Sequence, residues 1–277
     1  MVCHSTLLRS VLLGLLIAIY STSSMAAPAD DEARTINLAY AENWPPFSYQ
    51  RSNGQPAGIL IEIANFLLGD QLGYRVNHAF HPWKRSQKLV KEGVYDALLA
   101  VPNLDRQRYT TANSSEIYSM QVRAFVSKRS PRADQLLATD SPLLHPDGHY
   151  SLLLGDKTCE AIYDANQVAY HTVNDMHQVI KMLATGRSDL FLHSKVAAIR
   201  SMIELNLEPK VAMHPKVFKT APLYLLLSER FKEKSSLINN LDIAITKLKQ
   251  AEQYASKIDQ IERDEILYSL EYAELQH

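Results

Sequence analysis

The sequence predicts an α/β chain of two similar lobes facing each other across a cleft, with mostly parallel sheets covered by helices on both faces. Three observations predict it. Short apolar runs of strand length alternate with segments whose apolar residues recur at helical spacing, first over residues 35–101 and again over 150–214. Glycines stand just past three of the helical segments, at Gly73, Gly93 and Gly186, where a left-handed residue ends a helix. No solenoid-length repeat and no low-complexity tract competes with this reading.

The elements follow in order. Residues 35–40 alternate as a strand and run into a loop, 41–58, that holds Trp44-Pro45-Pro46-Phe47 and the turn Asn53-Gly54. Residues 59–72 have the apolar spacing of a helix, 74–80 read as a second strand, 86–92 as a short helix and 97–101 as a third strand. That β-α-β-α-β order implies parallel pairing under covering helices. Residues 121–127 read as another strand, and the Pro-, Asp- and Ser-rich stretch 130–149 as irregular or holding one short helix. A second α/β unit then has strands at 150–154, 168–172, 190–193 and 210–214, with helices at 158–165, 175–185 and 196–205. A strand at 223–228 and helices at 235–248, 250–258 and 262–273 complete the chain.

Residues 1–26 read as an export signal. Arg9 supplies the positive charge, residues 11–20 an apolar run, and Ser24-Met25-Ala26 a small-residue site for cleavage after Ala26. The run is about half of the ~20 residues that crossing hydrocarbon requires. Cys3 precedes the run, too early to carry a lipid anchor. The expected mature protein begins at Ala27 in the periplasm, where Cys159 is its one remaining cysteine and an internal disulfide is excluded. With 29 Lys and Arg against 30 Asp and Glu, there is no global attraction to nucleic acid or to an anionic membrane.

Several chemistries lack their residues. The ten histidines form no H-E-x-x-H word, and no C-x-x-C, G-x-S-x-G, P-loop or G-x-G-x-x-G pattern is present. The nine glycines are few for a nucleotide cradle. No catalytic residue, cofactor or metal is therefore expected. The acids Glu262, Asp264 and Glu265 are expected to form a solvated face of the last helix.

Several words recur in a characteristic order: Trp44-Pro45-Pro46-Phe47, Gly58-Ile59-Leu60-Ile61-Glu62-Ile63, Pro82-Trp83-Lys84-Arg85, Gly93-Val94-Tyr95-Asp96-Ala97, Asp105-Arg106-Gln107-Arg108, and Met182 through Asp189. In this order the chain resembles the bacterial family 3 extracellular solute-binding proteins, of the type II periplasmic binding protein fold. The resemblance implies a chain path with two crossings, residues 27–122 and 222–277 forming lobe 1 and residues 123–221 lobe 2. It also implies a small polar ligand held between the lobes by hinge closure, no chemistry on that ligand, a monomer, and an ABC permease as membrane partner. Two other functions use the same fold: a dehydratase-type enzyme, for which Glu42 is the one candidate acid nearby, and a sensing module for a membrane partner.

The resemblance also names site residues. Trp44 falls where an aromatic covers the ligand, with Phe47 beside it; packing of the loop is the alternative for both. Arg108 is favoured as the carboxylate anchor, a planar guanidinium offering parallel donors, with Arg106 as the competing register. Asn103 is a side-chain donor, and Ala100 and Val101 offer backbone groups. Trp83 reads as cleft wall or core, and Arg85 as a second anion anchor or a solvated side chain. Thr158 either meets a ligand carboxylate with helix amides or caps its helix. Ser194 stands where amino-acid binders commonly carry an aspartate for the ligand ammonium. A buried ammonium without a counter-charge costs several kcal/mol, so a dicarboxylate, another organic anion or a small polar metabolite is expected rather than a standard α-amino acid. His193 beside it reads mainly as structural.

Overall fold

The computed structural model describes residues 34–274, with side chains through residue 268; the expected export signal at residues 1–26 lies outside them. Strand β1 (Thr35–Ala41) buries Ile36, Leu38, Ala39 and Tyr40. It pairs in parallel with β4 (Arg75–His81), in register from Thr35 opposite Arg75 to Ala41 opposite His81, and with β5 (Ala97–Ala100). A small hairpin, β2 (Tyr49–Gln50) and β3 (Pro56–Ala57), lies in the loop after β1. Helix α1 (Ile59–Ala64) leaves only Glu62 outside the core and winds on more loosely as a π-helical segment over Asn65–Asp70. Helix α2 (Trp83–Lys91) follows Pro82, whose fixed φ suits the position ahead of a first turn.

Two long strands join the halves. β7 (Tyr118–Ser127) and β11 (Val211–Ser228) run antiparallel along most of their length. At its end β11 also pairs with β5 and with the short β6 (Thr110–Ala112). Beyond β7 come β10 (Leu190–Ser194), antiparallel to it, then β8 (Tyr150–Leu153) and β9 (Tyr170–Val173), each parallel to its neighbour. The order across is β4-β1-β5-β11-β7-β10-β8-β9. Parallel pairing is confined to the outer strands of each half, and the shared strands make the centre antiparallel.

Helices cover both faces. Against the first half pack α1 and α8 (Lys234–Gln250), around Leu38, Ile63, Leu225 and Leu241, while α2 covers Ala39, Leu98 and Leu226 through Val90. In the second half α5 (Lys157–Ala165) packs Cys159 and Tyr163 against Leu152 and Leu192. On the other face α6 (Met176–Thr185) and α7 (Lys195–Glu204) enclose Phe125 and Phe191. The irregular stretch 130–149 holds α4 (Ala133–Ala138). No helix among the described residues is long and apolar enough to cross a membrane.

Besides the short strands β2, β3 and β6, which the sequence reading did not include, three further differences stand out. The two strands expected at 210–214 and 223–228 are one, because β11 keeps pairing with β7 through irregularities between Met213 and Lys219. Pro215 there has no N–H to donate and breaks the alternation without ending the strand. The three expected C-terminal helices are two, α8 and α9 (Gln253–Glu274), separated at Glu252, whose φ is 57°. The charges around Asp259 interrupt the apolar pattern of α9 but not its backbone. A four-residue helix, α3 (Leu104–Gln107), was not legible in the sequence, and it sets the geometry of the site.

Candidate ligand cleft

The loop after β1 is built to present Trp44. Its peptide N–H donates to the carbonyl of Ser48 at 2.9 Å, and its carbonyl accepts from Phe47 N at 2.8 Å and Ser48 N at 2.9 Å. The Ser48 hydroxyl donates to the carbonyl of Ala41 at 2.7 Å. The first amides of α1 hold the same loop, Ile59 N donating to Pro46 O and Leu60 N to Phe47 O. This needs Gly58 at φ 115°, where a Cβ would lie 2.5 Å from the Phe47 carbonyl oxygen. Phe47 is buried as the loop's anchor, and the Trp44 ring rests on it at 4.7 Å while remaining 37% exposed.

Trp44 forms one wall of a cavity of about 310 Å3 whose other walls include Tyr40, Leu60, Trp83, Leu99 and Met120. Among the described residues Arg106 is the one charged side chain lining it. Its Nε donates to Gln87 Oε1 at 3.1 Å and its Nη1 to the Val101 carbonyl at 2.6 Å; the guanidinium lies 5.2 Å from the centre of the Trp83 ring. Those partners are neutral, and among the described residues Arg106 forms no ion pair. Burial makes its proton easier to lose than usual, with Tyr109 and Asp105 opposing that shift.

α3 decides the register of the two arginines. Residues two apart on a helix point to nearly opposite sides. Arg106 faces the cavity, and Arg108 points to solvent, 79% exposed, with Asp105 at 3.8 Å. The structure thus places Arg106, the competing register, at the cavity and leaves Arg108, the favoured one, in solvent. Asn103 is exposed and its side chain accepts from Arg106 N at 2.9 Å, so it caps α3 and orients the arginine. Arg85 is exposed and is not among the lining residues, while Trp83 lines the cavity. Ala100 and Val101 line it as well. Glu42 is exposed and is not among the lining residues.

A second cavity of about 640 Å3 shares Trp44 and Met120 with the first and lies between Pro45 and Phe47 on one side and Gly155, Thr158, His193 and Ser194 on the other. Thr158 and Ser194 are thus brought to the cleft with the loop aromatics. Thr158 does not cap α5. Asp156 does, its Oδ1 accepting from Cys159 N at 3.0 Å and its Oδ2 from His193 Nδ1 at 2.8 Å. Burial opposes ionisation of Asp156, but the bonds from His193 and Cys159 outweigh it and hold the carboxyl below its ordinary range. Arg200 and Glu204 also line the cleft, joined at 2.8 Å. Their four-residue spacing on α7 is the signal that would have found them. The carboxylates near Ser194, Asp156 and Glu204, are each engaged by a neighbour.

At the edge of the cleft α9 lies against α7. Lys195 contacts Glu262 at 2.7 Å, and Glu262 accepts from the Tyr118 hydroxyl at 2.8 Å. Arg200 contacts Glu265 at 3.1 Å, and Glu265 accepts from the Tyr49 hydroxyl at 2.7 Å. The expectation of a solvated acidic face is corrected here, since Glu265 is only 5% exposed. Burial raises its pKa against the pull of Tyr49 and Arg200. The carboxylate is buried because α9 docks on a basic residue of another helix, which no local pattern encodes.

Two α/β halves are thus joined by paired strands, with an aromatic loop lining the cleft. The sequence pattern of the bacterial extracellular solute-binding proteins, family 3, matches residues 36–260, and the chain belongs to that family. Among curated proteins none matches it in sequence. Solved structures share the fold. An ancestral cationic amino acid solute-binding protein superposes with a TM-score of 0.63 at 17% identity, covering 85% of this chain and 96% of its own. The second substrate-binding domain of GlnP from Lactococcus lactis, in an open conformation, gives 0.62 at 17% identity, covering 86% and 97%. A histidine kinase sensor domain similar to periplasmic binding proteins gives 0.55 at 18% identity, covering 83% and 96%.

Proposed function

We propose that the protein captures a small organic anion with an apolar or planar body, acting as a periplasmic monomer that delivers its ligand to an ABC importer. The observation that carries this reading is Arg106, a half-buried guanidinium whose hydrogen bonds go to neutral oxygens, set in a cavity otherwise walled by aromatic and aliphatic side chains. A charge in such surroundings gains most from an ionised partner, and a carboxylate matches the planar fork of the guanidinium. Trp44 and Trp83 supply the flat surfaces for the rest of the ligand. Thr158 and Ser194 meet its far end when the lobes, residues 27–122 with 222–277 and residues 123–221, rotate together about the crossings in β7 and β11. The carboxylates in the cleft are already bound by His193 and Arg200, which favours an anion over a zwitterion with a free ammonium.

A melting-temperature screen against mono- and dicarboxylates, amino acids and neutral metabolites tests this. A ligand at 100 times its dissociation constant adds about 2.7 kcal/mol of stability. The proposal expects the shift from a carboxylate without an amino group. A shift produced only by α-amino acids or by neutral compounds overturns the ligand class.

A further inference from the structure

We propose that Asp156, Cys159 and His193 form a binding site for a divalent transition-metal cation, zinc being the best match, on the second-lobe wall of the cleft. One donor atom of each residue lies within 4.8 Å of the others. Asp156 caps α5 and Cys159 sits three residues on, so their side chains leave the same side of the helix. His193 arrives from the end of β10, which runs beside the β8 strand that leads into α5. No sequence motif marks the group, because the third ligand comes from a different strand.

The donor set selects the metal. A sulfur, an imidazole nitrogen and a carboxylate oxygen suit borderline-soft zinc, not calcium or magnesium, which take oxygen ligands. Tetrahedral zinc holds its ligands at about 2.0–2.3 Å, so donors already this close converge with small side-chain rotations. A thiolate and a carboxylate together balance two positive charges. The surroundings orient the donors. Cys159 N fixes Asp156 Oδ1, leaving Oδ2 directed at His193, and the Phe191 ring stacks on the imidazole at 5.4 Å. Cys159 is a free thiol buried under α5. Asp156 and His193 line the 640 Å3 cavity, with side chains 15% and 16% exposed. Three protein ligands leave a fourth position, and these two residues turn it toward the cleft.

Cobalt(II) is the probe, added to the untagged protein. The expected result is one equivalent bound, with a sulfur-to-cobalt charge-transfer band in the near ultraviolet and the visible bands of tetrahedral cobalt, both abolished by one equivalent of zinc. Cys159→Ser removes the charge-transfer band, and His193→Gln and Asp156→Asn each weaken zinc binding by more than the roughly 10- to 100-fold that loss of an outer-shell partner costs. Because Cys159 is buried, His193→Gln, at the cleft surface, keeps the test decisive if the serine variant fails to fold. Absence of the charge-transfer band in the parent protein, or zinc affinity unchanged in His193→Gln, overturns the proposal. If the three residues are purely structural, the variants melt earlier and no cobalt spectrum forms, which also overturns it. Arg106→Gln leaves metal binding unchanged, so failure of the solute reading is separable from failure of this one.

Discussion

Replacing Arg200 with methionine keeps the length and apolar stem of the side chain but removes the charge that faces Glu265. The two side chains are 16% and 4% exposed and 3.1 Å apart, so solvent screens the pair little. Removing one partner of a buried pair costs about 3–5 kcal/mol. Glu265 keeps the Tyr49 hydroxyl at 2.7 Å, which places the loss at the lower end, about 3 kcal/mol. In a chain of this size each kcal/mol moves the melting temperature by about 2–4 °C, so a fall of about 6–12 °C is expected. The double variant Arg200→Met with Glu265→Gln recovers the part of the loss owed to Glu265, since a neutral amide still meets Tyr49. Glu204, which also loses Arg200, keeps His177 at 3.0 Å in both variants. Urea unfolding, with midpoint and slope fitted separately, measures both. A single variant within about 0.5 kcal/mol of the parent, or a double variant no better than the single, refutes the assignment of this pair as the tie between α7 and α9.

Other predictions concern the loop and the half-buried His78. Gly58→Ala places a Cβ against the Phe47 carbonyl at a φ that disfavours alanine, so the Trp44 loop must shift. A loss of about 1–3 kcal/mol and a changed tryptophan emission spectrum are expected; parent-like values in both would contradict the packing. Burial of His78 lowers its pKa from 6.5 to about 4. The folded state therefore takes up fewer protons than the unfolded one, and the stability tied to neutral His78 is complete above about pH 6.5 and is lost as pH falls toward 4. The loss across that window amounts to about 3 kcal/mol. His78→Gln, which can still meet Tyr40 and Asn65, shows a flatter stability curve between those pH values; an unchanged curve would place the titration elsewhere.

Much of the fold was legible because its signals are local. β1, β4 and α1 announce themselves by period, and Trp44-Pro45-Pro46-Phe47 marks a loop with an aromatic at its crest. α3 was not legible, since four residues rich in charge carry no period, and the register of Arg106 and Arg108 was lost with it. β11 read as two strands because Pro215 and its lysine neighbours interrupt alternation, while the pairing that continues the strand belongs to β7. Glu265 read as solvated because its burial is a tertiary event. At the cleft, Trp44, Trp83, Thr158 and Ser194, named by the resemblance, line the cavities. Asp156, with its cap on α5 and its bond to His193, became visible only once β10 and α5 were seen side by side.

The two tryptophans of the chain, Trp44 and Trp83, both line the cavity that holds Arg106. Their fluorescence therefore reports its occupancy without a label. With the carboxylate found in the stability screen, Arg106→Gln is expected to weaken binding by at least about 30-fold, the loss of about 2 kcal/mol from a charge-assisted hydrogen bond, while Arg108→Gln stays within about twofold of the parent. A saturable fluorescence change that survives in Arg106→Gln and is lost in Arg108→Gln contradicts the account.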